Sequence, residues 1–594
     1  MKEKLKNSII LRCLKLIYAT ATIRDKVTLL LVFATAFVPA AVVLLEKVLF
    51  QKAELLPGGN KSLLYTAVIL SAAIGGVLLL ISLINNLSSY VVEKLQVSVR
   101  TKITEEMLAK LTTVKLNALE KPDVYEKLRM LSGTLDMQIR RSVDGIVRSV
   151  VAIITAISLV PVLIAEDWLV TGIIVISSVP LFFFMKKQGV DEYYTNQYNS
   201  KEDAQQFYLY RCFNRAERLR EVQVGLLGGH LRSLWRALSE TLNARRFSLN
   251  RHMLLYTVLA NLVRYIGVGL ALILVIWRIS TGANDISSFI VVYTAAVSMQ
   301  DALTTLFSNV SANALTKRYM QDFDDFLALG DEPKAENQEN PLPECADISI
   351  KDLKFCYPGS DRTALDGISL EIKQGEKIAI VGKNGSGKST LISLLCGFYP
   401  PTEGSIRFAG QEVSENPAWV RRSLSIVAQN FNHFELTAAE NIAIGNGGES
   451  VSPEAIKHAA EQSNASAVIE ALPNGYDTHL GTIEEGVANL SGGQWQKIAY
   501  ARSLIKENSL CMVLDEQTAA LDAVAEAAFY KDFADIAQDK TVIMISHRLG
   551  ATKLCSRIIV LNDGKIVEEG SHDQLMANNG LYAEMFRSQA GLYL

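Results

Sequence analysis

Eight consecutive residues, Gly382-Lys383-Asn384-Gly385-Ser386-Gly387-Lys388-Ser389, fit G-x-x-x-x-G-K-S, and the chemistry of that pattern is phosphate binding. Glycines let the backbone wrap a phosphate chain while successive N–H groups point at it from a helix N-terminus. Lys388 then reaches the β- and γ-phosphates, and the Ser389 hydroxyl holds a magnesium ion. The nucleotide-contacting set from this stretch is Gly382, Asn384, Gly385, Ser386, Gly387, Lys388, Ser389 and Thr390. Its flanks suit the role. The β-branched run Lys377–Val381 reads as a buried parallel strand, and Thr390–Leu395 continues as a helix.

Two further stretches carry chemistry. Leu510–Leu514 is an apolar strand ending in Asp515 and Glu516, which places Asp515 to hold magnesium and Glu516 to orient or deprotonate an attacking water. Leu490-Ser491-Gly492-Gly493-Gln494 opens a long helical pattern and makes a second anion-binding helix N-terminus. One chain with two phosphate cradles is odd unless two copies share nucleotides.

The elements that must hold these groups fall into two halves. The chain has 594 residues, too many for one ordinary domain, and its net charge of −3 gives no overall field for nucleic acid. Apolar residues cluster before residue 310 in six runs long enough to cross a bilayer: 27–45, 63–84, 146–164, 169–185, 253–277 and 286–306. The first 26 residues carry seven Lys/Arg, and segments 88–145 and 186–252 carry ten and twelve. The opposite connections 46–62, 165–168 and 278–285 carry three, none and one, so both termini and the long connections are expected in the cytoplasm. No cleavable signal peptide is expected, because the first apolar run comes late and lacks a small-residue cleavage site.

The two long connections are rich in helix formers and nearly free of Gly and Pro, which predicts helical extensions of the spans. Residues Ile9–Tyr18 form either a helix on the membrane surface or an extension of the first span. Asn85, Asn86, Arg264, Gln300 and Asp301 fall inside or at the edge of spans. Each either lines a substrate path or makes interhelical hydrogen bonds. The seven cysteines form no CxxC or Cys/His cluster and are expected to be small buried hydrophobes.

The predicted domains are therefore a cytoplasmic segment 1–26, a six-helix membrane domain 27–328, a polar Pro-containing linker 329–344 and a soluble α/β domain 345–594. The fold class is a membrane α-helical bundle of six transmembrane helices with long cytoplasmic extensions, joined to a cytoplasmic α/β P-loop ATPase domain. Between Gln429 and Leu490, Ser452-Pro453-Glu454 supplies an N-cap, a first-turn proline and an early acid for a helical insert.

A P-loop, LSGGQ and an apolar strand ending in Asp-Glu, in this order, resemble the nucleotide-binding domain of ABC transporters. Six spans ahead of it look like an exporter-type half-transporter, and the resemblance covers essentially the whole chain. It implies that Tyr357 stacks on adenine, that Gln429 senses magnesium and contacts the membrane domain, and that His547 meets the γ-phosphate. It further implies that Asp522 links the two ATP sites, that Ser491, Gly492, Gly493 and Gln494 contact the nucleotide of the opposite copy, and that Glu485 contacts the opposite membrane domain. Catalysis then falls to Glu516, His547 and Gln429, with Ser389, Gln429 and Asp515 around magnesium and Tyr357 and Asp522 in the ATP-binding set. The tips of the long connections, near Asn117–Tyr125 and Gln223–Leu231, match coupling segments.

Three positions depart from the pattern: Gln517 and Ala519 replace the common Pro and Ser, and the loop around Glu485 reads Thr-Ile-Glu-Glu-Gly-Val. Coupling between halves is expected to be tuned differently, while every catalytic group is present. The resemblance implies ATP and magnesium as cofactors, a homodimer with a heterodimer as the other possibility, surrounding lipids, and no nucleic-acid partner. A bacterial cytoplasmic membrane is expected. LSGGQ followed by Trp495 is similar to exporters of ribosomally made modified peptides such as lantibiotics. A lipid or multidrug exporter is the alternative. The 26 residues before the first span hold one Cys and no His, so no leader-trimming peptidase is expected there. A soluble repair ATPase is excluded by the six spans. An importer is disfavoured by the fused halves, and gating without turnover by intact Glu516 and His547.

Overall fold

The computed structural model describes residues 15, 18–56, 61–214, 216–333, 343, 345–481, 488–506, 508–515, 540–546 and 549–590. Ile9–Tyr18 lies largely outside these residues. The chain forms two compact units, Met1–Thr112 with Pro122–Leu329, and Thr113–Lys121 with Gly330–Leu594.

The first unit is helical throughout its described elements. Helices α1 (Ile23–Thr35), α2 (Val38–Glu54) and α3 (Lys61–Thr113) come first. The short α4 (Leu116–Leu119) belongs to the second unit. Then follow α5 (Pro122–Glu166), α6 (Trp168–Asn214), α7 (Ala216–Val224), α8 (Gly228–Ser280) and α9 (Ile286–Leu327). Among the described residues, six helical stretches are long and apolar enough to cross a membrane, with α1 and α2 together making the first. Both α3 and α8 run 53 residues. At 1.5 Å per residue that is roughly 80 Å, well beyond the roughly 30 Å hydrocarbon core, so the expected extensions are there.

The first span differs from expectation. It is two helices, broken at Ala36–Phe37. Pro39 offers no N–H to the Thr35 carbonyl, and its ring crowds that carbonyl. The opened turn is satisfied from outside: Thr155 of α5 donates its hydroxyl to the Ala36 carbonyl at 3.0 Å. Small residues let the long helices close up. A Cβ added to Gly267 would lie 2.3 Å from Ser177 Cβ, and one on Gly189 would lie 2.2 Å from the Ser311 carbonyl oxygen. Leu159, Ile174, Val291 and Ala295 are fully buried between α5, α6 and α9. Leu79, Ile176, Leu262 and Ile273 face outward, a surface that suits lipid and not water.

The described residues of the second unit form two sheets. Strands β1 (Ile348–Cys356), β2 (Thr363–Ile372), β4 (Glu403–Phe408) and β5 (Gln411–Glu412) form an antiparallel sheet in the order β2-β1-β4-β5. The larger sheet uses β3 (Lys377–Gly382), β6 (Leu424–Val427), β7 (Cys511–Asp515), β8 (Thr541–Ile545), β9 (Arg557–Asn562) and β10 (Lys565–Gly570), ordered β10-β9-β3-β8-β7-β6. All its pairs are parallel except β10 on β9. Alternate residues feed opposite faces, as the two-residue period of a strand requires. Ile378, Ile380, Val513 and Ile543 enter one core, and Ala379, Val381, Met512 and Met544 enter the other. Both faces are covered, which is why these strands read as continuous apolar runs.

Helix α10 (Lys388–Leu395) follows β3, and α11 (Pro417–Ser423) leads into β6. A third core sits between α12 (Ala438–Ala443), α13 (Pro453–Gln462), α14 (Ser466–Glu470) and α15 (Gly492–Leu504). Ser452 caps α13 by accepting from Ala455 N, and Ile456, Ala459 and Ala460 are its buried face. Helices α16 (His572–Asn578) and α17 (Leu581–Ala590) close the unit.

The cysteine expectation needs correcting. Cys212, Cys396, Cys511 and Cys555 are buried, but Cys345 and Cys356 are only partly so. Cys345 lies just before β1 and Cys356 is its last residue, so the two flank the strand at opposite ends. Cys13 lies outside the described residues. Burial pushes the Cys396 and Cys555 thiols up to about 12 and Cys511 higher still. A maleimide at pH 8 is therefore expected to label Cys345 and Cys356 in the native protein and to reach Cys396, Cys511 and Cys555 only after denaturation. Mass spectrometry of the labelled peptides checks this. The folded thiols ionise above the ordinary value of 9.0, so their stabilising share is intact below that pH and declines as pH rises toward 12.

Candidate ATP site

The phosphate loop joins the end of β3 to α10, and two of its glycines have structural reasons. Gly382 has φ +153°, and a Cβ there would lie 2.1 Å from the Leu561 carbonyl oxygen of β9. Gly387 has φ +101°, and its Cβ would meet Leu365 Cδ2 at 2.5 Å. The loop therefore lies flush against β9 and β2, where a side chain has no room. Lys388 is buried and turns back over the loop, donating to the carbonyls of Gly382 (3.0 Å) and Lys383 (3.1 Å). Ser386 N donates to the Lys383 carbonyl, and Gly564 N to the Ser386 carbonyl.

Over this loop is a cavity of 650 Å³. It brings together Tyr357, Asn384, Gly385, Gly387, Lys388, Ser389, Thr390 and Gln429 from the sequence-derived set. Gly382 and Ser386 support the loop from beneath and do not reach the wall. Asp515 stands at the end of β7, and Ser491, Gly492, Gly493 and Gln494 begin α15; none of these lines the cavity. Glu516, Asp522, His547, Glu485, Gln517 and Ala519 lie outside the described residues. Six wall residues were not anticipated: Ser360, Arg362, Thr363, Ala364, Asp563 and Gly564. Asp563-Gly564 was readable as a hairpin turn between β9 and β10. Nothing in its spacing said that the turn would reach the phosphate loop.

Tyr357 presents its ring to the cavity from the end of β1, and its hydroxyl pairs with Thr390 Oγ1 at 3.0 Å. Behind it, Tyr399 packs edge-on at 5.5 Å. Tyr399 donates its hydroxyl to Glu120 at 2.7 Å, and Leu116 packs against the same apolar cluster. Burial first, and then the hydrogen bond to Glu120, push the Tyr399 hydroxyl above its ordinary pKa, so it stays a donor. The segment around α4 is thus one aromatic ring removed from Tyr357. This tip spans 114–121, slightly ahead of the Asn117–Tyr125 expected. The second tip is the turn Gly225–Leu227.

Ser491 opens α15 with a capping box: its hydroxyl accepts from Gln494 N, and the Gln494 side chain accepts from Ser491 N. Trp495, directly after it, is buried and stacks on His433 at 4.4 Å with rings nearly parallel. His433 belongs to the loop that leaves Gln429, so the start of α15 and that loop share one contact.

A phosphate-cradling loop on a doubly covered parallel sheet, joined to six membrane-length helices, defines a membrane-coupled P-loop ATPase. Residues 365–519 match the ABC transporter family. The chain is 28% identical over 523 residues to the subtilin transport ATP-binding protein SpaT of Bacillus subtilis, covering 86% of this chain and 84% of that protein. It is 36% identical over 307 residues to the ATP-dependent lipid A-core flippase of Vibrio parahaemolyticus serotype O3:K6, with about half of each chain aligned (51%). A solved structure of a bacterial Atm1-family ABC exporter with ATP bound shares the fold, with a TM-score of 0.78 over 96% of this chain and 98% of that one at 24% identity. Together these matches support an exporter-type ABC half-transporter, a multi-pass membrane protein with an ATP-hydrolysing domain.

Proposed function

We propose that two copies of this chain form an exporter that moves a modified peptide out of the cytoplasm of a bacterial cell. The observation that carries the cargo reading is the alignment with a subtilin transport protein along 86% of the chain, through both halves. The match to a lipid A-core flippase is closer in identity but spans only 51%, so a lipid cargo is the second reading.

Two features support a pair of copies. The cavity over the phosphate loop takes no wall from Ser491–Gln494, so that helix N-terminus is available to cover the nucleotide of a second copy. At the second tip, Val224 and Leu226 are 87% and 89% exposed. Apolar side chains that far out on a cytoplasmic extension suit a surface of the second copy.

In this reading ATP lies with its adenine on Tyr357 and its phosphates over Gly382–Thr390, with Lys388 at the β- and γ-phosphates. Ser389, Gln429 and Asp515 would hold magnesium. A hydroxyl, an amide and a carboxylate offer only oxygen ligands, the set that suits a hard cation whose remaining ligands are water and phosphate. A magnesium ion held there would supply neutralisation of phosphate charge. Glu516 orients the attacking water, His547 meets the γ-phosphate, and Asp522 links the two sites. Closing two copies on two nucleotides draws the cytoplasmic ends of the long helices together, and these helices carry that motion to the membrane. The excess of Lys/Arg on the long connections supports a cytoplasmic position for both termini.

The test is ATP-dependent uptake into inside-out vesicles of modified peptides, fluorescent lipids and a cationic dye, with Glu516→Gln as the non-hydrolysing control. Peptide accumulation that disappears in Glu516→Gln is the expected result. Lipid uptake without peptide uptake would overturn the cargo. ATP hydrolysis without any accumulation would overturn either the homodimer or the choice of cargo.

A further inference from the structure

Of the five intramembrane polar residues, the structure separates two kinds. Arg264 and Gln300 are buried and consumed by each other's helices. Gln300 Nε2 donates to the Arg264 carbonyl, and Arg264 donates to Thr304 Oγ1 and to the Tyr265 hydroxyl. They hold α8 to α9. Asn85 and Asp301 instead line a cavity of 570 Å³ within the helical unit, and Asn86 does not.

The cavity is walled by one face each of α3, α5 and α9, with Val32 of α1 and Pro39 of α2 completing it. Ser298, Asp301 and Thr305 repeat at helical spacing on α9, and Asp144, Arg148 and Thr155 do so on α5. Its charged residues are Asp144, Arg148 and Asp301. Arg148 pairs with Asp144 at 2.8 Å, so those two charges cancel within one turn of α5. Asp301 has no ion-pair partner among the described residues, and the wall carries a net charge of one carboxylate. Asp301 is also deep. It lies about 22 Å along α9 from Ile286, inside the roughly 30 Å of hydrocarbon core. A carboxylate at that depth is expensive unless it serves a path or meets a cation.

We propose that this cavity receives a cationic group of the cargo, an ammonium or guanidinium on a basic peptide, against the Asp301 carboxylate, with Asn85 and the hydroxyls of Ser298 and Thr305 as neutral acceptors beside it. The proposal rests on the peptide-exporter reading and adds the sign of the cargo's charge. A phosphate-bearing lipid headgroup would meet the uncompensated carboxylate and be repelled.

The experiment uses the full-length transporter reconstituted in lipid vesicles. ATPase stimulation is titrated with a lysine-bearing peptide and with the same peptide acetylated on every lysine. Stimulation by the free-amine peptide is expected at concentrations about tenfold lower than by the acetylated one, a difference that shrinks to near nothing in Asp301→Asn and is kept in Asp301→Glu. In parallel, Ser298→Cys is labelled with cationic and anionic thiol reagents of equal size. The cationic reagent is expected to react about tenfold faster, and the added Asp301→Asn change to level the two rates. Equal potency of both peptides overturns the proposal, as does equal labelling with Asp301 in place. Equal loss for both peptides in Asp301→Asn, unrescued by Asp301→Glu, would make Asp301 a packing residue and also overturn it. Basal ATPase activity is read in every sample, so failure of the transporter reading itself appears as its absence.

Discussion

Replacing Lys388 with alanine lowers ATP turnover by about a hundred- to a thousandfold, the loss expected when a preorganised charge is removed from phosphoryl transfer. The structure shows how such a large functional effect can come with a small structural one. The Lys388 ammonium is buried and held by the carbonyls of Gly382 and Lys383, at 3.0 and 3.1 Å. It is therefore fixed at the loop before any phosphate arrives and pays little ordering entropy when one does. Truncation leaves two loop carbonyls short of a donor, a cost of about 1 kcal/mol each, which a unit with two buried sheet faces can absorb. Steady-state hydrolysis, nucleotide binding and a melting curve separate the terms. Turnover should collapse while the melting transition stays cooperative. Lys388→Arg tests geometry, because it keeps the charge but lengthens the reach. Hydrolysis within a few-fold of the original in Lys388→Ala would remove the loop from the site.

Most of this site was legible because its chemistry is local. Gly382–Ser389, the strand Cys511–Asp515 and the cap at Ser491 are each contiguous, and their strand and helix contexts are short-range patterns. What was not legible is nearly all long-range. Glu120 and Tyr399 meet across 279 positions. Asp301 and Gln300 are sequence neighbours of similar polarity, yet one faces a cavity and the other is tied to α8, because one residue on a helix turns the side chain by about 100°. The break in the first span was readable in principle from Pro39. But Pro161 and Pro180 sit inside α5 and α6 without ending them, so a proline alone does not decide. At Pro39 the opened turn meets the Thr155 hydroxyl from α5, a long-range contact that local sequence does not announce.

Arg502 carries the second large effect, and no motif marks it. It sits in the last turn of α15, and its guanidinium donates to the Asn441 carbonyl (3.0 Å), the Asn441 side-chain oxygen (2.9 Å) and the Asn432 carbonyl (3.1 Å). Its face lies 4.7 Å from the Phe434 ring. Burial holds its pKa down to about 10, so it stays charged at neutral pH, where its hydrogen bonds are charge-assisted. Asn441 is itself buried and donates to the carbonyls of Phe434, Leu436 and Thr437. One cation thus organises the whole loop that leaves Gln429, and it does so from the helix that begins with Ser491. The fit leaves no slack. Gly445 lies so close to the Arg502 carbonyl that an added Cβ would be 1.8 Å from it. Arg502→Met keeps the aliphatic bulk and strands three oxygen acceptors, so it should cost about 2–4 kcal/mol of stability. Loosening the Gln429 loop from α15 should lower turnover by about ten- to a hundredfold, since small misplacements of a positioned group are that costly. Denaturant unfolding and ATP hydrolysis below the melting transition measure the two effects separately. A destabilised protein that hydrolyses ATP at the original rate would confine Arg502 to packing, and would leave the Trp495–His433 stack as the contact that keeps α15 and the Gln429 loop in register.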